Sequence, residues 1–191
     1  MTLIFATHNQ NKALEIATQL PFNVELTTLS ELDYYDEIPE TGSTLEENAR
    51  IKSEFVAKKF KENCFADDTG LEVETLNGEP GVYSARYAGE ARNSEANMDL
   101  LLKKLEGKEN RNAQFKTIIS LFWEGKFYEF EGIVKGKILK ERKGNKGFGY
   151  DPIFQPDEAT CSFAEMDLGE KNKISHRARA IEKMLKFIKN Y

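Results

Sequence analysis

The sequence predicts a mixed α/β fold, with a long, partly antiparallel sheet and flanking helices. Three observations lead there. Two long β-rich runs, 113–124 and 126–139, meet at Glu124-Gly125-Lys126, where a hairpin turn belongs. Near the C-terminus, Ile174, Ala178, Ile181, Leu185 and Ile188 form an apolar stripe at helical spacing. Elsewhere, strand and helix patterns are neither strictly alternating nor grouped apart, which favours a mixed sheet.

The elements follow in order. Leu3-Ile4-Phe5-Ala6 reads as a buried strand. Residues 12–20 carry a helical pattern with Leu14, Ala17 and Leu20 on one face, stopped by Pro21. Residues 24–29 alternate like a strand, and 30–42 are acidic and irregular. Ser43 with Glu46, or Thr44 with Glu47, offers a capping box for a helix to about residue 61, with Leu45, Ala49, Val56 and Phe60 inward. Residues 64–66 and 71–75 read as two strands flanking Asp67-Asp68. Asn93 caps a helix reaching Leu105, and the last helix starts near Ser175.

The 191 residues suit one domain, 1–191, or two closely fused lobes. Apolar residues make up 40% and both charge signs are spread along the chain, an ordinary globular composition. A net charge of −5 argues against nucleic acid as a partner, so any anion site must be local. No run is long enough to span a bilayer and no signal-peptide pattern opens the chain, so we expect a cytoplasmic protein without a membrane partner. Cys64 and Cys161 are far apart with no second ligand pattern nearby; Cys64, in an apolar run, reads as a buried thiol.

Several stretches have a chemical reading beside a bland one. Thr7-His8-Asn9-Gln10-Asn11-Lys12 joins a strand to a helix, which directs free N–H groups at an anion; the bland reading is a polar, Asn-capped connection. The Walker spacing is missing. Asn48 and Lys52 share a helical face, although a helix lysine is more often a solvated stem. Asp67 and Asp68, as neighbours in an extended chain, point to opposite faces. One can hold a turn before Gly70; the other, with a distant acid such as Glu40, matches what Mg²⁺ demands. Asp68-Thr69-Gly70 also spells the aspartic-protease tripeptide, but only one copy occurs and the helices argue against that fold. Gly147-Phe148-Gly149-Tyr150-Asp151 offers aromatic faces for a nucleobase, or a tight loop with its aromatics in the core. In Lys171-Asn172-Lys173-Ile174-Ser175-His176-Arg177, Arg177 could fork onto a purine oxygen; otherwise the run is a basic surface turn.

Together and in this order, these segments resemble the inosine triphosphate pyrophosphatase family, enzymes that hydrolyse deaminated purine nucleoside triphosphates. The resemblance runs nearly end to end. It rests on THNQNK, ETGSTLEENARIKS, FADDTGLEVETLNGEPGVYSARYAG, GFGYDPIF and KISHRARA. It implies a two-lobed α/β homodimer with a central nucleotide cleft, using Mg²⁺ to cleave between the α and β phosphates. By position, Asp68 would accept the proton of the attacking water and touch the metal, with Glu40 as second metal contact. Thr7, His8, Asn9, Gln10, Asn11, Lys12, Lys52 and Thr69 would hold the phosphates. Phe148, Gly149, Tyr150, Asp151, Lys171, His176 and Arg177 would build the base pocket. Thr69 stands where many members carry Ser, and His8 where a small residue is common. Two rival readings are a nucleotide-binding module without turnover and a pyrophosphatase with another nucleotide preference.

Overall fold

A computed structural model describes all residues, Met1–Tyr191. In chain order the elements are β1 (Thr2–Phe5), α1 (Gln10–Ala17), β2 (Glu25–Thr28), α2 (Leu45–Phe60), β3 (Cys64–Val73), β4 (Pro80–Gly81), α3 (Ser94–Lys104), β5 (Asn112–Trp123), β6 (Lys126–Ile138), β7 (Phe154–Pro156), α4 (Leu168–Ile174) and α5 (His176–Asn190), with short 3₁₀ turns between. The sheet order is β2-β1-β3-β5-β6-β7, and β4 pairs with β3. β1 runs parallel to β2 and β3, whereas β3–β4 and β6–β7 are antiparallel, so the sheet is mixed as predicted. No helix is long and apolar enough to cross a membrane.

Local chemistry sets the helix starts. The Thr44 side chain accepts from the Glu47 amide, Asn9 from that of Lys12 and Asn93 from that of Ala96. α2 also places Glu46 and Glu47 in its first turn and Lys58 and Lys59 in its last, matching its dipole. The β5–β6 turn falls at Glu124-Gly125, both with positive φ, which suits a tight hairpin.

Three expectations need correction. β3 is one unbroken strand through Asp67 and Asp68, so neither acid holds a turn before Gly70. α1 ends at Ala17, and Leu14 is 57% exposed while Glu15 and Ile16 are buried. Its inward face is chosen by Lys12, Glu15 and Ile16, which stand three and four residues apart and meet buried partners. Before the terminal helix lies a separate one, α4, started by a reciprocal capping box between Asp167 and Glu170. Ser175 is extended and closes α4, so Ile174 belongs to α4 rather than to the terminal stripe.

Two compact units divide the chain: Met1–Asp68, Thr117–Gly132 and Arg177–Tyr191 form the first; Thr69–Lys116 and Ile133–His176 form the second. In the first unit, the two faces of β1 and β3 meet different helices. Phe5 and Phe65 pack with Ile16 of α1 and Ile181 of α5, their rings stacked at 4.5 Å and 6°. Ile4, Cys64 and Ala66 pack with Val56 and Ala57 of α2. Cys64 is buried, which pushes its thiol up to about 12. The second unit has its own core, including Leu71, Met98, Leu101, Val134, Phe154 and Phe163, with Phe115 and Phe154 meeting edge to face at 4.7 Å.

Candidate functional site

Strand alternation explains the first unit's charged centre. Asp67 shares the face of Phe65, so it points to the layer of α1 and α5. There its Oδ1 accepts from Lys12 Nζ at 2.9 Å and its Oδ2 from Arg177 Nε at 3.2 Å. Arg177 Nη1 also donates to Glu15 Oε2. Asp68 shares the face of Cys64 and Ala66, so it points to α2. Its Oδ1 stands 3.6 Å from Lys52 Nζ, which itself donates to Glu40 Oε1 at 2.6 Å. Glu40 reaches this lysine from the loop before α2. Lys52, expected as a solvated stem if it had no function, is instead buried among Asn48, Ala49, Ser53 and Val56 on the inward stripe of α2.

Burial and charge divide the acids. Burial alone would raise Asp67, but Lys12 and Arg177 outweigh it and hold the carboxyl well below its ordinary range. Burial pushes Asp68 up, with Lys52 and Lys12 only partly opposing. For Lys52, burial works against the charge, yet Asp68 and Glu40 raise it. Arg177 is held charged in the same way, by Glu15 and Asp67 against burial. Lys12 is lowered by its burial, against the pull of Asp67.

The second unit carries a smaller constellation. Lys171 Nζ meets Asp151 Oδ2 at 2.5 Å, both almost fully buried, and lies 5.0 Å from the Phe148 ring centroid and 5.5 Å from that of Phe163. Asp151 also accepts from the Phe148 amide at 2.9 Å. That bond folds the loop so tightly that a Cβ at Gly147, where φ is +71°, would meet Asp151 Oδ2 at 2.1 Å. The Tyr150 hydroxyl donates to the Ser84 carbonyl at 2.8 Å, and His176 stacks on Phe115 at 4.7 Å. Phe148 alone of the loop's aromatics keeps a half-exposed ring; Tyr150 lies in the core.

The predicted residues thus sort themselves. Lys12, Glu40, Lys52, Asp68 and Arg177 gather in the first unit; Phe148, Tyr150, Asp151, Lys171 and His176 lie in the second, as does Thr69. Thr7 and Asn9 order the β1–α1 connection, Thr7 Oγ1 accepting from the Asn9 amide at 3.1 Å. His8, Gln10 and Asn11 are exposed, with His8 Nε2 3.0 Å from the Asp36 carbonyl oxygen. Sequence reading missed Glu15 and the ion-pair role of Asp67. Glu15 left one signal, its place one turn after Lys12 on the same helical face.

No three His, Cys, Asp or Glu side chains are grouped to hold a metal by themselves. The donor set nevertheless fits Mg²⁺. Glu40 and Asp68 both approach Lys52 Nζ, at 2.6 and 3.6 Å, which puts two carboxylates at one ammonium. Mg²⁺ commonly takes one or two carboxylates and completes its shell with water and phosphate oxygens.

Fold and centre together define an α/β protein whose first unit brings lysines and carboxylates together as phosphoanhydride chemistry requires. A model of the Ham1 family matches residues 3–187. A dITP/XTP pyrophosphatase of Flavobacterium psychrophilum is 53% identical over 190 residues, covering 100% of both chains. One from Thermoanaerobacter pseudethanolicus is 48% identical, covering 98% of this chain and 96% of its own. Among solved structures, the Staphylococcus aureus Ham1 protein superposes with a TM-score of 0.90 at 41% identity, covering 100% of this chain and 99% of its own. A HAM1 protein from Coxiella burnetii gives 0.91 at 34%, with both chains covered in full. The chain belongs to the Ham1 family.

Proposed function

We propose that this protein is a hydrolase that converts deaminated purine nucleoside triphosphates, dITP, ITP and XTP, to the monophosphate and pyrophosphate. The observation that carries the reading is the convergence of Asp68 and Glu40 on Lys52. Relatives at 53% and 48% identity bear the name dITP/XTP pyrophosphatase, which supports it. Residues 1–191 would act as one catalytic domain, in a cytoplasmic homodimer.

The roles follow from charge. Lys12 and Lys52 neutralise phosphate oxygens, with Thr69 and the 7–11 connection supplying further donors. Glu40 and Asp68 are the proposed Mg²⁺ contacts. When bound, Mg²⁺ would polarise the phosphoryl oxygens and offset charge as the α–β anhydride bond breaks. Asp68 orients the attacking water and accepts its proton; the water oxygen bonds the α phosphorus as the α–β bridging bond breaks and pyrophosphate leaves. Asp67 stays ionised and fixes Lys12 and Arg177. At the purine end, Phe148 stacks and Lys171 donates. Gly149, Tyr150, Asp151 and His176 hold that loop in shape. Arg177 takes the purine carbonyl, its plane set by Glu15 and Asp67.

Pyrophosphate release from ITP, dITP and XTP, compared with ATP, GTP and dTTP, with and without Mg²⁺, tests the reading. We expect Mg²⁺-dependent turnover at least roughly tenfold faster on the deaminated set than on ATP, the discrimination of about one hydrogen-bond mismatch at the purine 6-position. Equal rates on ATP would overturn the substrate assignment; binding without pyrophosphate release would leave a nucleotide-binding module.

A further inference from the structure

The loop that carries Glu40 has no regular structure, yet its carboxylate lies 2.6 Å from Lys52. Something must hold it there. The Gly42 amide donates to Asn48 Oδ1 at 2.8 Å, and Asn48 is only 1% exposed on the inward face of α2, one turn before Lys52. Ser43 donates through both its amide and its hydroxyl to Glu47 Oε2, at 2.6 and 2.9 Å. The approach at Gly42 is close: a Cβ there would meet Glu47 Cβ at 2.6 Å and Asn48 Oδ1 at 2.8 Å. Gly42 does not have a positive φ, so its demand for glycine is one of space and not of backbone conformation.

We propose that Asn48 is a positioning residue for the metal: by accepting the Gly42 amide it docks the 40–42 loop on α2 and so fixes Glu40 as a cation contact. This rests on the proposed role of Glu40. A buried amide is suited to the task. Its oxygen accepts the loop's N–H without adding charge beside Lys52, whereas a carboxylate there would compete with Glu40 for the same ammonium. Removing partners that orient a metal ligand typically costs roughly ten- to a hundredfold in metal affinity.

The test uses the full chain and the variants Asn48→Ala, Gly42→Ala and Glu40→Gln. Two readouts are taken: the Mg²⁺ midpoint for ITP turnover, and Mn²⁺ binding to the complex with α,β-imido-ITP by electron paramagnetic resonance. Asn48→Ala and Gly42→Ala should each weaken metal binding roughly tenfold, with KM for ITP at saturating Mg²⁺ changed less than about twofold. Glu40→Gln should weaken metal binding further. If Glu40→Gln leaves both metal readouts at the wild-type value, Glu40 is not a metal contact and the proposed function loses that role. If Glu40→Gln shifts them but neither of the other variants does, the positioning role of Asn48 alone is overturned. Gly42→Ala disturbs the loop without removing a side chain from α2, so it decides the matter should Asn48→Ala fail to fold.

Discussion

The two units treat buried charge differently. In the second, Asp151 and Lys171 form a balanced pair flanked by the rings of Phe148 and Phe163. In the first, two carboxylates, Glu40 and Asp68, meet at one ammonium, Lys52, and Asp68 is driven toward protonation by its burial. Two carboxylates at one ammonium suit a further cation, so the charge state of that centre depends on what binds. We therefore propose the Asp68–Glu40–Lys52 centre as the reacting end.

Variants can break this contrast. The largest effect should come from Asp68→Asn, which removes one of the two carboxylates at Lys52: turnover of ITP should fall roughly a hundredfold to ten-thousandfold while calorimetry still detects nucleotide binding. Wild-type turnover in that variant would remove Asp68 from the chemistry.

Next comes Asp67→Asn, which takes the buried carboxylate away from Lys12 and leaves Arg177 with Glu15. Urea unfolding at neutral pH should show a loss of about 3–5 kcal/mol. The pH dependence has a definite sign. Because Asp67 is held below its ordinary value of 3.8, its contribution is fully present above that pH. It is lost as pH falls toward the folded value, so wild type and variant should converge in acid. A constant gap down to the acid transition would mean that the ion pairs are not the source.

The smallest effect should follow from Lys171→Met. Asp151 keeps the Phe148 amide, so the single variant should lose about 1.5–3 kcal/mol. The double variant Asp151→Asn, Lys171→Met should recover part of that stability, since the second unit's charges cancel one another. No recovery would show that the pair serves packing more than charge.

Sequence reading reached the mixed sheet, the Thr44 and Asn93 caps and the Glu124-Gly125 turn because each is written in a few adjacent residues. It also gathered Lys12, Glu40, Lys52 and Asp68, since a familiar set of segments names them together. It split β3 at the acids, because charged residues in a buried strand contradict local propensity, and the cations that make that burial tolerable, Lys12, Lys52 and Arg177, lie 55, 16 and 110 residues away. Glu15 was missed for the same reason: its partner lies 162 positions distant. The bond from the Tyr150 hydroxyl to the Ser84 carbonyl, 66 positions away, likewise leaves no local trace.

The placement of Asp67 and Asp68 on consecutive positions of β3 has one more consequence. Their assignments are set by parity. Pairing of Ile4 with Cys64 and Phe5 with Phe65 decides which acid looks toward which helix layer. A slip of one residue in that register would exchange the acid held ionised by Lys12 and Arg177 with the one that burial pushes up, leaving composition and hydrophobicity untouched. A single-residue insertion between Phe65 and Asp67 should therefore be far more damaging than one in the 61–63 connection, where the strand can re-enter in phase.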